Sequence, residues 1–278
     1  MRLFRRKQKR YAPGPNPVAY AYADRPDLTG RRTFFERHIL LHTHIPKTAG
    51  STLSAGLSSI VGGIHAMDLR LRRRVDLAEM SAEDLADLKL LAGHFEHGIH
   101  TRFDRIPLYF AAVRDPVERA ISGYRFLSER PDHPNHETVV GKDFAEAWQA
   151  QIERDGDRAI NEQARYLMGS KPGAPIDVEA LWHQVDTAYF LVIPQPSMTK
   201  ALQDLRVAFG LPWNRITRMN VSKDFETEAS AKMRDLILRT NDLDAALYAR
   251  IEADFPARLK KACDLIASHC LMPLKDGA

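Results

Sequence analysis

The sequence predicts an α/β fold with a P-loop-like central parallel sheet flanked by helices. Three short apolar segments, at residues 39–41, 107–113 and 189–193, have the length and composition of buried strands. Segments with helical signals lie between them, and strands that alternate with helices pair in parallel. The 278 residues suit a single domain. We expect this domain at residues 31–278, after a basic, Pro-containing flexible arm at 1–30.

The predicted helices follow the strands along the chain. Residues 51–60 follow the first strand, and residues 116–127 follow the second, where an Asp-Pro pair forms a favourable helix entry. Ser81 begins a sequence that resembles a capping box, which predicts a helix ending near Leu90. A long surface loop is expected at residues 129–141. The other predicted helices cover residues 144–153, 158–168, 178–185, 198–209 and much of 229–269.

The positive charge of the chain lies at its N-terminus. The first ten residues hold six basic side chains and no acidic one. Removing these six from the 40 Lys and Arg leaves 34 basic residues against 36 acidic ones, so the rest of the chain is slightly acidic. A nucleic-acid-binding domain carries its positive excess on its folded part, which argues against that function. We expect the arm to contact water or anionic surfaces.

Apolar runs and cysteines indicate the compartment. No apolar run is long enough to cross a bilayer, and the N-terminus lacks the apolar stretch of a secretory signal, so we expect a cytoplasmic protein without a transmembrane segment. Cys263 and Cys270 are seven residues apart in a helix-like segment, which separates them by roughly 10 Å, too far for a disulfide. We therefore expect both thiols to pack as small apolar side chains.

A phosphate-binding loop is predicted after the first strand, where residues 44–53 read HIPKTAGSTL. Free N–H groups and the dipole at a helix start attract anions. Gly50 permits the tight turn, Lys47 adds a cation, and Ser51 and Thr52 add hydroxyl donors. A nucleotide triphosphatase loop has its lysine after the glycines, whereas Lys47 precedes Gly50 by three residues. The alternative is an ordinary strand–helix turn with a solvent-facing lysine.

A second anion site is predicted after the next strand, at Arg114. Parallel sheets bind ligands at the carboxyl ends of their strands, which is where Arg114 stands. Ser122 follows eight residues later, about two helical turns along, so a guanidinium and a hydroxyl form a second phosphate site. The alternative is an Arg114 that pairs with Asp115 or Glu118, with Ser122 incidental.

The two motifs resemble the donor-binding motifs of the PAPS-dependent sulfotransferases. PKTAGST at 46–52 and RDPVERAISGY at 114–124 are most similar to the carbohydrate branch, sulfotransferase family 2, which includes heparan sulfate 2-O- and 6-O-sulfotransferases and many bacterial members. The resemblance implies transfer of a sulfuryl group from PAPS (3′-phosphoadenosine 5′-phosphosulfate) to a hydroxyl, with PAP as product and no metal. It implies that the 5′-phosphosulfate is held by Lys47, Thr48, Ala49, Gly50, Ser51 and Thr52, and the 3′-phosphate by Arg114 and Ser122.

The resemblance extends less sharply over residues 39–255. Residues 161–169 resemble the family's middle helix, and residues 241–248 resemble a recurring late helix. Residues 219–223 resemble its late donor-covering loop, which adds Asn220, Ser222 and Lys223 to the implied donor site.

His94 is the predicted catalytic base. It follows a short apolar segment, which would put it at a sheet edge near the donor, and it resembles the catalytic histidine of the family's Gly-His motif. Histidine suits this task because its pKa lies near neutrality. Lys47 is the second predicted catalytic residue, since it would stabilise charge growing on the bridging oxygen. His44 and His97 are alternative bases, and His42 is a weaker one.

Several other interpretations stay open. A zinc site built from His94, His97 and His100 ranks below the base assignment. A P-loop nucleotide kinase would need Mg²⁺ and a complete Walker sequence, and a nucleotide-binding adaptor would lack chemistry altogether. A saccharide acceptor is expected from the resemblance. Residues 131–141 are a candidate lid over the acceptor. A cluster of arginines could line an acceptor cleft or form a solvated helix face, and it consists of Arg70, Arg72, Arg73 and Arg74.

Overall fold

The strands of the protein form a sheet in which every neighbouring pair is parallel, which confirms the predicted α/β class. The computed structural model describes residues 29–69, 80–170, 174–212 and 230–270. The strand order across the sheet is β2-β3-β1-β4-β5. The bounds are β1 (His38–Thr43), β2 (Ala66–Asp68), β3 (Leu90–Gly93), β4 (Ile106–Val113) and β5 (Tyr189–Pro194).

Helices flank both faces of this sheet. Short 3-10 turns lie at Ile99–Arg102, His136–Thr138, Gly156–Arg158 and Gln195–Ser197. The helices of the described part are α1 (Thr29–Arg37), α2 (Gly50–Val61), α3 (Ala82–Asp87), α4 (Pro116–Ser128), α5 (Phe144–Asp155), α6 (Glu162–Met168), α7 (Val178–Thr187), α8 (Met198–Ala208), α9 (Ala231–Thr240) and α10 (Asp242–Cys270).

Alternate side chains of β1 enter two separate cores, because successive strand residues face opposite sides of a sheet. Leu40 packs with α1, α2 and α8, whereas Ile39 and Leu41 pack with α6 and α7. Helix α10 packs along the edge strand β5 and reaches both cores, with Phe255 in the first and Leu247 in the second. One long helix thereby connects the two layers.

Two predicted helix boundaries were wrong, each for a structural reason, while the helical prediction for 229–269 corresponds to two helices. Helix α3 stops before the predicted end near Leu90, because Leu90 pairs with Leu40 in the sheet. Helix α6 begins four residues later than the predicted 158, because Asn161 has a left-handed backbone with φ 48°. The predicted segment 229–269 is divided at Asn241 into α9 and α10 in its described part.

The predicted helix start at Ser81 and the cysteine predictions are confirmed. The Ser81 side chain accepts a hydrogen bond from the Asp84 N–H, which caps α3. Cys263 and Cys270 are free, half-buried and packed against the first core, and burial raises the pKa of both thiols to about 11. None of the described helices combines the length and apolarity needed to cross a bilayer. Helix α1 begins at Thr29, and residues 1–28 of the arm lie outside the described residues.

Candidate active site

The sheet topology brings the two predicted anion sites together. Strand β1 lies between β3 and β4, and the chain continues from β1 toward the β3 side but from β4 toward the β5 side. The carboxyl ends of β1 and β4 therefore flank a topological switch point, where open α/β sheets have their ligand crevice. The loop after β1 and Arg114 after β4 both border this crevice, and the Arg114 charge is among the causes that lower the pKa of Lys47.

The first loop, residues 44–50, has two left-handed residues that are not glycine. Lys47 and Ala49 both have φ 67°, a conformation that costs roughly 1–2 kcal/mol per residue. Left-handed residues in a turn direct successive N–H groups into a common anion-binding concavity. Residues 46–49 form a turn, but within the described part of the chain the N–H groups of Thr48, Ala49 and Gly50 form no well-aligned hydrogen bond. The loop therefore presents unused donors at the start of α2.

Gly50 has a different role from the one predicted. The predicted role was to permit the tight turn, but the left-handed positions are Lys47 and Ala49. A Cβ atom at Gly50 would lie 2.4 Å from Cδ2 of the buried His44 ring. Glycine is needed because the histidine packs directly against the helix start.

The hydroxyl groups of this loop are not all available to a ligand. Thr48 is fully buried, and its Oγ1 donates to the Ile45 carbonyl at 2.9 Å, which closes the turn. Its predicted contribution to anion binding is therefore limited to its backbone N–H. Ser51 is half-buried, whereas Thr52 is buried.

Hydrogen bonds hold the backbone of Arg114, and its side chain is partly buried. Its N–H donates to Gln163 Oε1 at 2.8 Å, and its carbonyl accepts from Gln163 Nε2 at 2.9 Å. Its Nη2 lies 3.4 Å from Glu118 Oε2, which is the pairing that the alternative interpretation anticipated. Burial lowers the pKa of Arg114, and Glu118 opposes this shift. Its Nε is buried and has no partner among the described residues.

Helix α4 lines the crevice with residues spaced by one turn. Asp115 caps this helix by accepting from the Glu118 N–H, and Pro116 is its first residue, as predicted. Glu118, Ser122 and Phe126 follow at intervals of four, so they share one helix face. Phe126 was not predicted as a site residue, and its spacing from Ser122 is the only sequence signal for it.

Lys47 reaches across the crevice to this helix face. Its Nζ lies 4.0 Å from the centroid of the Phe126 ring. The pKa of Lys47 is lowered to about 8, chiefly by burial and then by the charges of Arg114 and Arg130. Lys47 is thus a half-buried cation facing α4, unlike the solvent-facing lysine of an ordinary turn.

His94 lies on the other side of the first loop. It follows β3, an inner strand, so it stands at the carboxyl edge of the sheet beside β1. Its Nδ1 lies 2.7 Å from the His44 carbonyl oxygen. Since a carbonyl only accepts, Nδ1 carries the proton, and Nε2 is the unprotonated nitrogen of the neutral ring. The side chain is exposed, so this nitrogen is accessible.

The alternative histidines pack against other side chains of the fold. His97 packs against the Tyr109 ring at 4.5 Å between centroids, and burial lowers its pKa to about 4. Tyr109 Oη accepts from the N–H groups of Gly98 and His100 and lies 3.0 Å from His100 Nδ1. His44 is buried, and its ring lies directly against Gly50 at the start of α2. The residues that the structure describes contain no group of three or more His, Cys, Asp or Glu arranged to hold a metal.

A buried polar network behind Arg114 was not predicted. Gln163 and Asp244 are both fully buried. The Asp244 carboxylate accepts from the N–H groups of Gln163 at 3.1 Å and Ala164 at 2.8 Å, which caps α6 from α10. The Asn161 side chain accepts from the Asp244 N–H at 3.0 Å. The sequence indicated segments 161–169 and 241–248 only through the family resemblance. Their contact with each other follows from the tertiary structure.

Some predicted residues cannot be compared with the structure. Asn220, Ser222 and Lys223 lie outside the described residues, as do Arg70, Arg72, Arg73 and Arg74. The candidate lid, residues 131–141, is described and packs against α4 and α5, with Val139 buried and Tyr124 Oη donating to the Lys142 carbonyl at 3.0 Å.

Comparison with known families agrees with this geometry. Residues 31–171 match the model of the Sulfotransferase family, and they contain the first loop, His94, Arg114 and Gln163. The match covers 141 of the 278 residues. No curated protein matches the chain at a significant level. The chain belongs to the sulfotransferase family and is a transferase of sulfuryl groups.

Proposed function

We propose that the protein transfers a sulfuryl group from PAPS to a hydroxyl of a carbohydrate or glycoconjugate, and that PAP is released. The observation that supports this most strongly is the pair of cationic anion sites at the carboxyl ends of the adjacent strands β1 and β4. PAPS has anionic groups at both ends of its ribose. The first loop would hold the 5′-phosphosulfate, and Arg114 with Ser122 would hold the 3′-phosphate.

In this proposal the first loop stabilises the leaving group. The N–H groups of Thr48, Ala49 and Gly50 donate to the phosphosulfate oxygens, and the Lys47 ammonium neutralises charge that grows on the bridging oxygen. Donors that are oriented before the reaction need no reorganisation, and loss of one commonly slows turnover by about 10²–10³. The left-handed backbone at Lys47 and Ala49 supports this role, since such strain persists where function requires it.

His94 is the proposed base. Its Nδ1–H is occupied by the His44 carbonyl, so Nε2 is the atom that would accept the proton of the acceptor hydroxyl. This arrangement would position one basic nitrogen beside the loop that holds the transferring group. His97 is disfavoured as the base because its ring packs among tyrosines.

The first test separates donor binding from proton transfer. We expect Lys47→Ala and His94→Ala to lower turnover by at least about 10²-fold. Calorimetry with PAP should show weaker binding for Lys47→Ala and Arg114→Ala, but unchanged binding for His94→Ala. His183→Ala, which removes an exposed histidine on α7, is the control and should keep full activity. A fully active His94→Ala protein would refute the base assignment, and folded protein that does not bind PAP would refute the donor.

Two further measurements address the acceptor and the kinase alternative. Mass spectrometry of glycan and lipid extracts, incubated with the protein and labelled PAPS, would identify the acceptor. Transfer should persist in EDTA, because the proposed chemistry relies on Lys47 and backbone donors. A nucleotide kinase would lose activity under the same conditions.

A further inference from the structure

Phe126 is in contact with several charged or titratable side chains at the end of α4. The Lys47 Nζ lies 4.0 Å from its ring centroid, and the Arg130 guanidinium carbon lies 4.5 Å from the same centroid. The His133 ring meets it edge-on at 5.5 Å. One ring therefore joins the first loop to the segment that follows α4.

The surroundings of Lys47 disfavour its charge. The side chain is half-buried, and Arg114 and Arg130 add positive potential, while Glu129 is the acidic group that opposes them. No hydrogen bond or ion pair joins the Lys47 ammonium to the residues that the structure describes. The face of the Phe126 ring is the attractive partner, because the negative quadrupole of an aromatic face attracts a cation.

Phe126 is itself firmly held. It is half-buried and packs against a small core that contains Leu127, Val139 and Ala147. It also shares a helix face with Ser122, which belongs to the proposed donor site. The ring thus has a fixed position relative to the crevice, whereas a lysine side chain alone has several rotatable bonds.

We infer that Phe126 is the positioning residue for Lys47, and that its ring face holds the ammonium at the crevice in its charged form. This inference rests on the proposed role of Lys47 in sulfuryl transfer. The positioning itself is a property of the protein without donor, so it is measurable independently of transfer.

The test replaces the ring while keeping apolar volume. Phe126→Leu removes the ring face but leaves the site apolar, so we expect the pKa of Lys47 to fall below its wild-type value of about 8. NMR titration of the labelled lysine without donor measures this directly. With PAPS, kcat/KM should fall about tenfold, and its alkaline limb should move to lower pH, because the ammonium is lost earlier as pH rises.

The controls distinguish positioning from stability. Phe126→Tyr keeps a ring face and should keep the wild-type pKa and pH profile. A purely structural role would lower the melting temperature of Phe126→Leu without moving the pKa of Lys47, and that result overturns the inference. Phe126→Met makes the same comparison should the leucine variant fail to fold. If the pKa moves but neither protein transfers sulfuryl groups, the positioning holds and the proposed function fails.

Discussion

His94 and His97 are three residues apart, yet their surroundings differ in a way that bears on catalysis. His94 is exposed, with one nitrogen committed to the His44 carbonyl. His97 packs against Tyr109 and Tyr189, and its pKa of about 4 keeps it neutral under ordinary conditions. A residue type and its sequence position are therefore insufficient to identify a base, because the burial of each histidine depends on the fold.

His97 should make stability depend on pH. Its pKa is about 4 in the folded protein and near 6.5 when unfolded, so the unfolded chain binds more protons between these values. Stability contributed by the neutral ring is present above pH 6.5 and is lost as pH falls toward 4. We expect His97→Phe to reduce this loss by about 1–2 kcal/mol at pH 4, allowing for partial exposure.

Thermal unfolding of wild type and His97→Phe from pH 4 to 7 measures the effect, and transfer activity at pH 7 should be retained. Parallel stability curves for the two proteins would contradict the assignment of a buried neutral ring.

Helix α6 connects Arg114 to the helical layer. Its N-terminal N–H groups are capped by Asp244 of α10, and its Gln163 side chain pairs with both backbone groups of Arg114. The Gln163 amide has one orientation, because its oxygen accepts from the Arg114 N–H and its nitrogen donates to the Arg114 carbonyl. The position of Arg114 therefore depends on a helix that follows it by almost fifty residues.

Replacing this amide should affect both stability and donor binding. Gln163→Leu leaves the Arg114 N–H and carbonyl without partners, which costs about 1–3 kcal/mol. We expect weaker PAP binding as well, because Arg114 loses its support. Gln149→Leu on α5, an exposed glutamine that bonds Glu153, is the matched control. Chemical denaturation and calorimetry measure the two effects, and wild-type PAP affinity in a destabilised Gln163→Leu protein would show that Arg114 is positioned by other contacts.

In the part of the chain that the structure describes, two large core layers share one sheet, and α10 joins them. Its 29 residues run past the edge strand β5, so its early turns pack in one layer and its later turns in the other. The later turns pack with α1, α2 and α8 in the first layer. This half of the helix supports the fold and contributes no residue to the candidate site.

Two adjacent residues of α10 allow a matched test. Ile266 is fully buried, whereas Leu265 is 47% exposed. Ile266→Ala should lower the free energy of unfolding by about 2–5 kcal/mol, because it leaves a cavity in the first core. Leu265→Ala should change it by less than about 1 kcal/mol. Urea denaturation compares the two, and transfer activity per folded molecule should be equal in both. Equal destabilisation would contradict the packing of this helix.

Local signals were sufficient for some elements of the fold, whereas β2 and α1 were not predicted and β3 was noted only as a short apolar segment. The apolar runs that became β1, β4 and β5 and the Asp-Pro entry of α4 were predictable because each depends on neighbouring residues in the chain. The proximity of the loop after β1 to Arg114 after β4 was also predictable, since parallel strands put their carboxyl ends at one edge of a sheet. The sequence therefore indicated that Lys47, Arg114 and His94 follow neighbouring strands at one edge of the sheet.

Tertiary packing determined the features of the site that the sequence did not predict. Lys47 contacts Phe126, and Gln163 bonds to Arg114. These pairs are too far apart in the sequence for helix or strand periodicity to predict their contact. The left-handed turns at Lys47 and Ala49 run against residue preference, and only the close approach of His44 to Gly50 explains why a glycine stands next to them. Propensity describes a residue with its chain neighbours, whereas orientation and proton affinity depend on the side chains that folding brings around it.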